Sequence, residues 1–253
     1  MFSNLLLTIT YDGTDFFGWD CQQNRSIKRV LLEALSPFFL KFRLSVASRT
    51  DRGVHAKDQK VLIQADEAIC LPDNWLETIN ALLPEDIRIL NCKPVQPDFH
   101  PSTDAKLKEY RYYFHTVTDE LQLERFSLMH NNKFKLDSIE EALPLFLGKK
   151  NFRCFEDRSP KRRSDPTCSI HEIGFHPITE GRFFLKIIGD RFLYHMCRKI
   201  AGTLLYIGYG KIELKQLSKG IENLLPTDVG PTLPPNGLIL QEVLYDRNDP
   251  FPV

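Results

Sequence analysis

Two hydrophobic periods alternate along this chain, and their order is the strongest constraint on its fold. Apolar residues at every second position predict strands at 4–11, 44–49, 59–66, 86–93, 109–117, 169–177, 182–189 and 238–245. Apolar residues every three to four positions predict helices at 26–42, 73–83, 137–147, 191–207 and 213–224. The strands 169–177 and 182–189 are joined by a turn too short for a helical crossover, so they should run antiparallel. The pattern predicts an α+β fold with mixed sheets rather than a doubly wound parallel sheet.

The length of the chain, 253 residues, suits one large domain or two of medium size. A stretch rich in Pro, His and Asp at 94–105 is the best internal boundary. We therefore predict an N-terminal domain at 1–105 and a C-terminal domain at 106–253.

Several function classes are disfavoured by composition. No window approaches the roughly 18 uninterrupted apolar residues of a membrane helix, and the first residues lack the features of a signal peptide. The six cysteines form no CxxC pair, which argues against a structural zinc site. Phosphate-binding and dinucleotide-binding glycine motifs are also absent. We expect a cytoplasmic protein with reduced thiols that needs no cofactor or metal.

The formal net charge is zero, which is not the basic balance typical of a nucleic-acid binder. Positive charge is nevertheless concentrated at 148–165, where seven Lys and Arg side chains stand against three Asp and Glu. The run can be a solvated loop, or a flexible basic arm that contacts a polyanion through local charge. In the second interpretation, Lys161, Arg162 and Arg163 would meet phosphates.

The segment VASRTDRGVHAKDQ connects two predicted strands and places Asp51 between Arg49 and Arg52. Nearby positive charge favours an ionised carboxylate, which can act as a nucleophile or base. Gly53 permits a tight turn beside it. An ordinary salt bridge within the loop would explain the same residues.

The segment KEYRYYFHTV alternates aromatic and other residues, so Tyr110, Tyr112 and Phe114 share one face of a strand. These rings can form an aromatic core face. Alternatively, one of them can stack on a planar ligand such as a nucleic-acid base.

The predicted helix at 191–207 carries a narrow polar stripe of Arg191, His195, Arg198 and Gly202. Burial of an unpaired charge is costly, so Arg198 should have a carboxylate or phosphate partner. The partner can equally be an acid unrelated to function.

Four segments together resemble the TruA family of tRNA pseudouridine synthases. They occur in family order between residue 9 and about residue 211, and they read YDGTDFFGW, SRTDRGVHA, KEYRYYF and FLYHMCRKIAG. The family patterns that they resemble are YDG…GW, GRTDAGVHA, RxYRY and FxxHMVRNIxG.

This resemblance implies two ferredoxin-like domains of the pseudouridine synthase fold with a catalytic cleft between them. It implies a homodimer that isomerises uridine to pseudouridine at positions 38, 39 and 40 of the tRNA anticodon stem-loop, without a cofactor. Asp51 would be the nucleophile, Tyr110 would pack against the target base, and Arg49 and Arg198 would complete the catalytic set. A non-catalytic tRNA-binding or tRNA-folding protein on the same scaffold is the alternative.

Contacts to RNA are further expected from Arg52, His55 and Arg191, together with the basic run. The chain departs from the family pattern at several positions, and several of these departures thin out positive charge that would meet the tRNA. The departing residues are Asp20, Cys21, Ser48, Arg52, Asp58, Ser102, Lys108 and Glu109.

Overall fold

The computed structural model of the protein describes residues 2–69, 71–116, 123–130, 134–158 and 165–246. The chain divides into two compact units. Unit 1 comprises Met1–Lys106 and Leu240–Val253, and unit 2 comprises Leu107–Ile239. The predicted domain boundary between residues 105 and 106 remains a proposal. The compact units group Leu240–Val253 with the N-terminal part of the chain rather than with unit 2.

Within unit 1 the strands are ordered β4-β1-β3-β10, and β2 also pairs with β3. The pairs β1–β3, β1–β4 and β2–β3 are antiparallel. The strands of unit 1 are β1 (Phe2–Tyr11), β2 (Phe42–Val46), β3 (His55–Ile69) and β4 (Ile87–Pro94). Strand β10 (Leu238–Leu244) contributes its residues from Leu240 onward to this unit. Helices α1 (Ile27–Leu35) and α2 (Trp75–Leu82) belong to the same unit. The core contains the fully buried side chains of Leu7, Ile9, Ile27, Leu31 and Leu62.

Within unit 2 the strands are ordered β5-β9-β8-β7, and the short β6 pairs in parallel with β5. Its strands are β5 (Leu107–His115), β6 (Leu128–Met129), β7 (Gly148–Asn151), β8 (Thr167–Thr179) and β9 (Arg182–Gly189). Its helices are α3 (Leu123–Phe126), α4 (Leu136–Ala142), α5 (Met196–Gly208) and α6 (Leu214–Asn223). Short 3-10 turns follow α4 at Leu143–Phe146 and lie at Arg153–Phe155, Pro226–Asp228 and Pro235–Gly237.

The predicted α+β class with mixed sheets is confirmed. Strands β8 and β9 form the expected antiparallel hairpin. Helix α1 ends at Leu35, well short of the predicted residue 42, because Pro37 cannot continue an α-helix. No helix in the described ranges is long and apolar enough to cross a bilayer.

The prediction for the start of α5 was wrong. The helix begins at Met196 rather than Arg191, because His195 adopts a left-handed backbone conformation with φ of 63°. Arg191 and His195 therefore precede the helix, and of the predicted polar stripe only Arg198 and Gly202 lie on it.

Candidate active site

Asp51 lies half-buried in the connection between β2 and β3, within unit 1. The preceding residue is fixed by β1, because the Thr50 Oγ1 atom lies 2.7 Å from the Tyr11 hydroxyl oxygen. The Gln59 side chain donates to the carbonyl oxygen of Ser48 at 2.6 Å and to the Tyr11 hydroxyl at 3.3 Å. Side chains from β1 and β3 thus determine the path of the loop around Asp51.

The loop is also tied to the turn that follows β1. The Trp19 amide donates to the Thr50 carbonyl at 3.1 Å, and the Gly53 amide donates to the Phe16 carbonyl at 3.2 Å. Gly18 has a φ of 81°, and a Cβ atom there would lie 2.7 Å from the Thr50 carbonyl oxygen. A side chain at position 18 would therefore separate the two segments.

Burial raises the pKa of the Tyr11 hydroxyl to about 12. Hydrogen bonds from Thr50 and Gln59 oppose this shift, whereas the charge of Asp51 reinforces it. The Tyr11 phenol is therefore protonated at neutral pH and can donate to Thr50 Oγ1.

The two arginines that flank Asp51 in sequence interact with other residues of unit 1. Arg49 Nη2 lies 4.0 Å from Asp20 Oδ2, and the same carboxylate oxygen lies 3.1 Å from Lys28 Nζ. The guanidinium of Arg52 lies over the Phe17 ring, with its central carbon 4.2 Å from the ring centroid. Both arginines that flank Asp51 thus have contacts of their own within unit 1.

Two further departures from the family pattern have structural partners. Ser48 is held through its backbone, since its amide donates to Gln59 Oε1 at 3.3 Å. Asp58 pairs with Lys60 at 2.5 Å and accepts the Val243 amide at 3.2 Å. The Asp58 carboxylate thereby links β3 to β10 within unit 1.

His55, from which we expected an RNA contact, is only 2 % exposed. Its Nδ1 atom accepts the Gly13 amide at 3.0 Å. This placement favours a structural role in holding the turn after β1.

In unit 2, Tyr110 lies on β5 opposite Ile187 of β9 and is 6 % exposed. Its ring meets that of Phe192 edge-on, with the centroids 5.2 Å apart. Tyr112 and Phe114 are 1 % and 2 % exposed, which agrees with the core-face interpretation for these two rings.

Arg198 extends from the first turn of α5, in unit 2. Its Nε atom donates to the Leu233 carbonyl at 2.7 Å, and the Leu233 amide donates to the Arg198 carbonyl at 3.4 Å. Burial raises the pKa of Tyr112, and the nearby Arg198 charge opposes that shift. Arg198 is therefore fixed by the segment that follows α6.

A carboxylate that the sequence did not single out organises the start of α5. Asp157 Oδ2 lies 2.9 Å from His195 Nδ1 and accepts from Thr232 Oγ1 at 2.7 Å, while Asp157 Oδ1 accepts from Lys199 Nζ at 2.9 Å. Partial burial raises the pKa of Asp157, but these hydrogen bonds outweigh it and lower the pKa to about 2. Asp157 belongs to the basic run 148–165. Because basic residues predominate there, the sequence pattern did not indicate a structural role for this carboxylate.

Arg191 is also fixed within unit 2. It donates to the Thr167 carbonyl at 2.8 Å through Nε and pairs with Asp165 at 2.6 Å through Nη2. The predicted RNA contacts Lys161, Arg162 and Arg163 lie outside the described residues.

The structure thus places Arg49, Asp51 and Arg52 in one loop of unit 1, and it places Tyr110 and Arg198 in unit 2. Across the described ranges, no group of three or more His, Cys, Asp or Glu side chains is arranged to hold a metal ion.

Comparison with known proteins identifies the family. The sequence profile described as tRNA pseudouridine synthase matches residues 7–104 and 142–246, which include Asp51 and Arg198. This chain belongs to the tRNA pseudouridine synthase family. The profile confirms the resemblance drawn from the four sequence segments.

Relatives over nearly the full chain belong to the same family. The chain is 32% identical to "tRNA pseudouridine synthase A" of Thermodesulfovibrio yellowstonii, with 96% of this chain and 99% of the relative covered. It is 34% identical to the Syntrophomonas wolfei protein of the same name, with 97% and 99% covered. It is also 34% identical to the Bacillus licheniformis protein of that name, with 95% and 98% covered.

Proposed function

We propose that this protein is an isomerase that converts uridine to pseudouridine at positions 38, 39 and 40 of the tRNA anticodon stem-loop, with Asp51 as nucleophile. The observation that carries the proposal is the match to the family profile, whose two matched segments contain Asp51 and Arg198. The relatives that share 32 to 34% identity with this chain carry the name tRNA pseudouridine synthase A.

The reaction is an isomerisation that needs no external oxidant or reductant. The bond between uracil N1 and ribose C1′ breaks, the uracil rotates, and a new bond forms between C5 and C1′. The C5 proton is released and N1 gains a proton, so the atoms balance. Attack by Asp51 on the sugar or on the base would both open this route.

In this proposal Asp51, Tyr110 and Arg198 act on the same uridine. The base must first leave the RNA stack, which costs a few kcal/mol. The Tyr110 ring would pack against the displaced base, and the charges of Arg49 and Arg198 would favour the ionised carboxylate and bind phosphate. The tight attachment of the Asp51 loop to β1 and Gln59 suits a group that must keep its position during the reaction.

The decisive experiment compares the wild type with Asp51→Asn on a tRNA transcript labelled with tritium at uracil C5. Tritium release measures loss of the C5 proton, and carbodiimide mapping by primer extension locates the pseudouridine. We expect the Asn variant to lose activity and to retain most of its tRNA binding. Asp66→Asn is a matched control, because Asp66 is an exposed aspartate of the same unit.

The outcomes separate the two candidate functions. Equal turnover by the wild type and Asp51→Asn would exclude Asp51 as nucleophile. Tight tRNA binding without tritium release by the wild type would favour the tRNA-binding or tRNA-folding protein.

We also propose that the enzyme acts as a homodimer and without a cofactor. Light scattering would give the mass of the particle in solution relative to the single chain of 29.4 kDa. Full turnover after exhaustive dialysis against a chelator is expected.

A further inference from the structure

Two consecutive phenylalanines in the turn after β1 each carry an arginine on their ring. The guanidinium carbon of Arg25 lies 3.9 Å from the centroid of Phe16, and that of Arg52 lies 4.2 Å from the centroid of Phe17. Both distances are within the range of favourable cation–π contacts. The pairs are alike in local geometry but differ in how their charge is compensated.

Arg25 is neutralised within the protein. Its two Nη atoms donate to the two carboxylate oxygens of Asp86, at 2.7 and 2.9 Å. Arg52 is exposed, and among the described residues it forms no ion pair with a carboxylate. Arg49, on the other side of Asp51, shares Asp20 with Lys28. Of the two arginines that flank Asp51 in sequence, Arg52 is therefore the one without a carboxylate partner in the described part of the chain, and its charge is available to a ligand.

The position of Arg52 is fixed by the backbone on both sides of the contact. The Gly53 amide donates a hydrogen bond to the Phe16 carbonyl. A Cβ atom on Gly18 would lie 3.1 Å from the backbone nitrogen of Arg52, so the two segments are closely packed. The Phe17 ring, which is 37 % exposed, covers one face of the guanidinium. The N–H groups on the edge of a guanidinium can then bind two oxygens of a phosphate at once.

We propose that Arg52, held on the Phe17 ring, binds a backbone phosphate of the RNA beside the uridine that reaches Asp51. The contact would supply positive charge that the departures Asp20, Cys21 and Ser102 remove from other parts of the chain. The identity of the ligand as tRNA rests on the proposed function, whereas binding of a phosphate can be measured independently of turnover.

The test measures the dissociation constant of an anticodon stem-loop RNA as a function of salt, in an Asp51→Asn background that prevents turnover. Arg52→Gln should weaken binding about tenfold at low salt, as expected for the loss of one charge-assisted contact. The slope of log K against log salt should fall by about 0.7 to 0.9, the value for one phosphate contact. With Asp51 restored, the loss should fall mainly on KM.

Three further variants separate the parts of the contact. Arg52→Lys should keep the salt slope but bind less tightly than the wild type, because it lacks the planar fork. Phe17→Leu should weaken binding about threefold by removing the cation–π contact. Arg29→Gln is the charge control, since Arg29 is an exposed cation of the same unit paired with Glu33 at 3.0 Å. Thermal melting establishes that each variant is folded.

An unchanged dissociation constant and salt slope in folded Arg52→Gln would overturn the proposal, as would an equal loss in Arg29→Gln. If the wild type binds RNA but forms no pseudouridine, the proposed function fails while the binding measurements still decide the role of Arg52.

Discussion

The Asp157 carboxylate lies 2.9 Å from the Lys199 ammonium, and the Lys199 side chain is only 11% exposed. The pair joins the segment after β7 to the second turn of α5, one residue beyond Arg198. Asp157 also contacts His195, which ends the irregular stretch before the helix. The carboxylate therefore positions the part of α5 from which Arg198 extends.

Substitution of Asp157 by Asn should lower the free energy of unfolding by about 2–3 kcal/mol. Breaking a fully buried ion pair costs about 3–5 kcal/mol, and this pair is partly solvated. Urea denaturation followed by circular dichroism gives the measurement. The control is Glu33→Gln, which breaks the exposed Arg29–Glu33 pair and should cost less than about 0.5 kcal/mol. Similar losses in both variants would contradict a positioning role for Asp157.

The same carboxylate should contribute to acid sensitivity. Its pKa falls from the ordinary 3.8 to about 2 in the folded protein, so its ionised form favours folding. That stabilisation is complete above about pH 4 and is lost as the pH falls through about 2. The difference in unfolding free energy between wild type and Asp157→Asn should therefore shrink over this interval. A difference that stays constant from pH 5 to pH 2 would exclude the assignment.

Asp20 should weaken RNA binding, because its carboxylate shares the charges of Arg49 and Lys28. Replacement of Asp20 by Asn should tighten binding to an anticodon stem-loop RNA about two- to threefold and steepen its salt dependence. Fluorescence anisotropy at several salt concentrations measures both quantities. Asp66→Asn, which removes an exposed negative charge elsewhere in unit 1, should have a smaller effect. Weaker binding by Asp20→Asn would show that Asp20 supports the RNA contact.

Tyr110 can be tested by variants that separate packing from ring chemistry. Tyr110→Phe should keep the edge-on contact with Phe192 and much of the activity. Tyr110→Leu keeps apolar volume but lacks a ring, so it should remain folded and lose most turnover under the proposed function. Tyr110→Ala should also destabilise the protein by about 3–5 kcal/mol through the cavity. Wild-type turnover by Tyr110→Leu would make Tyr110 a core residue only.

The sequence predicted elements whose signals are local. The hairpin of β8 and β9 followed from two alternating segments around a short turn, and α6 at Leu214–Asn223 matched its predicted range closely. The start of α5 was not predictable in this way. The apolar period continues through 191–195, but His195 turns left-handed while bound to Asp157, which lies 38 residues away. A distant contact determines where that helix begins.

The candidate site also combines features that the sequence predicted with features that only the folded chain shows. Resemblance was sufficient to single out Asp51, but the partners of the departing residues depend on the folded chain. Ser48 bonds to Gln59 across 11 residues, and Asp58 bonds to Val243 across 185. Arg52 contacts the ring of Phe17, which lies 35 residues earlier in the chain. No local pattern contains such pairings, because the turn after β1 and the Asp51 loop meet only in three dimensions.

The return of β10 to unit 1 has a consequence for the order in which the protein can be completed on the ribosome. Residues 107–239 are synthesised before Leu240–Leu244 become available to unit 1. Until then, Asp58 lacks the Val243 amide, and the cluster of Leu6, Leu62, Val95 and Phe99 lacks Tyr245. Unit 1, which holds Asp51, therefore gains the contacts of β10 only after all of unit 2 has been synthesised.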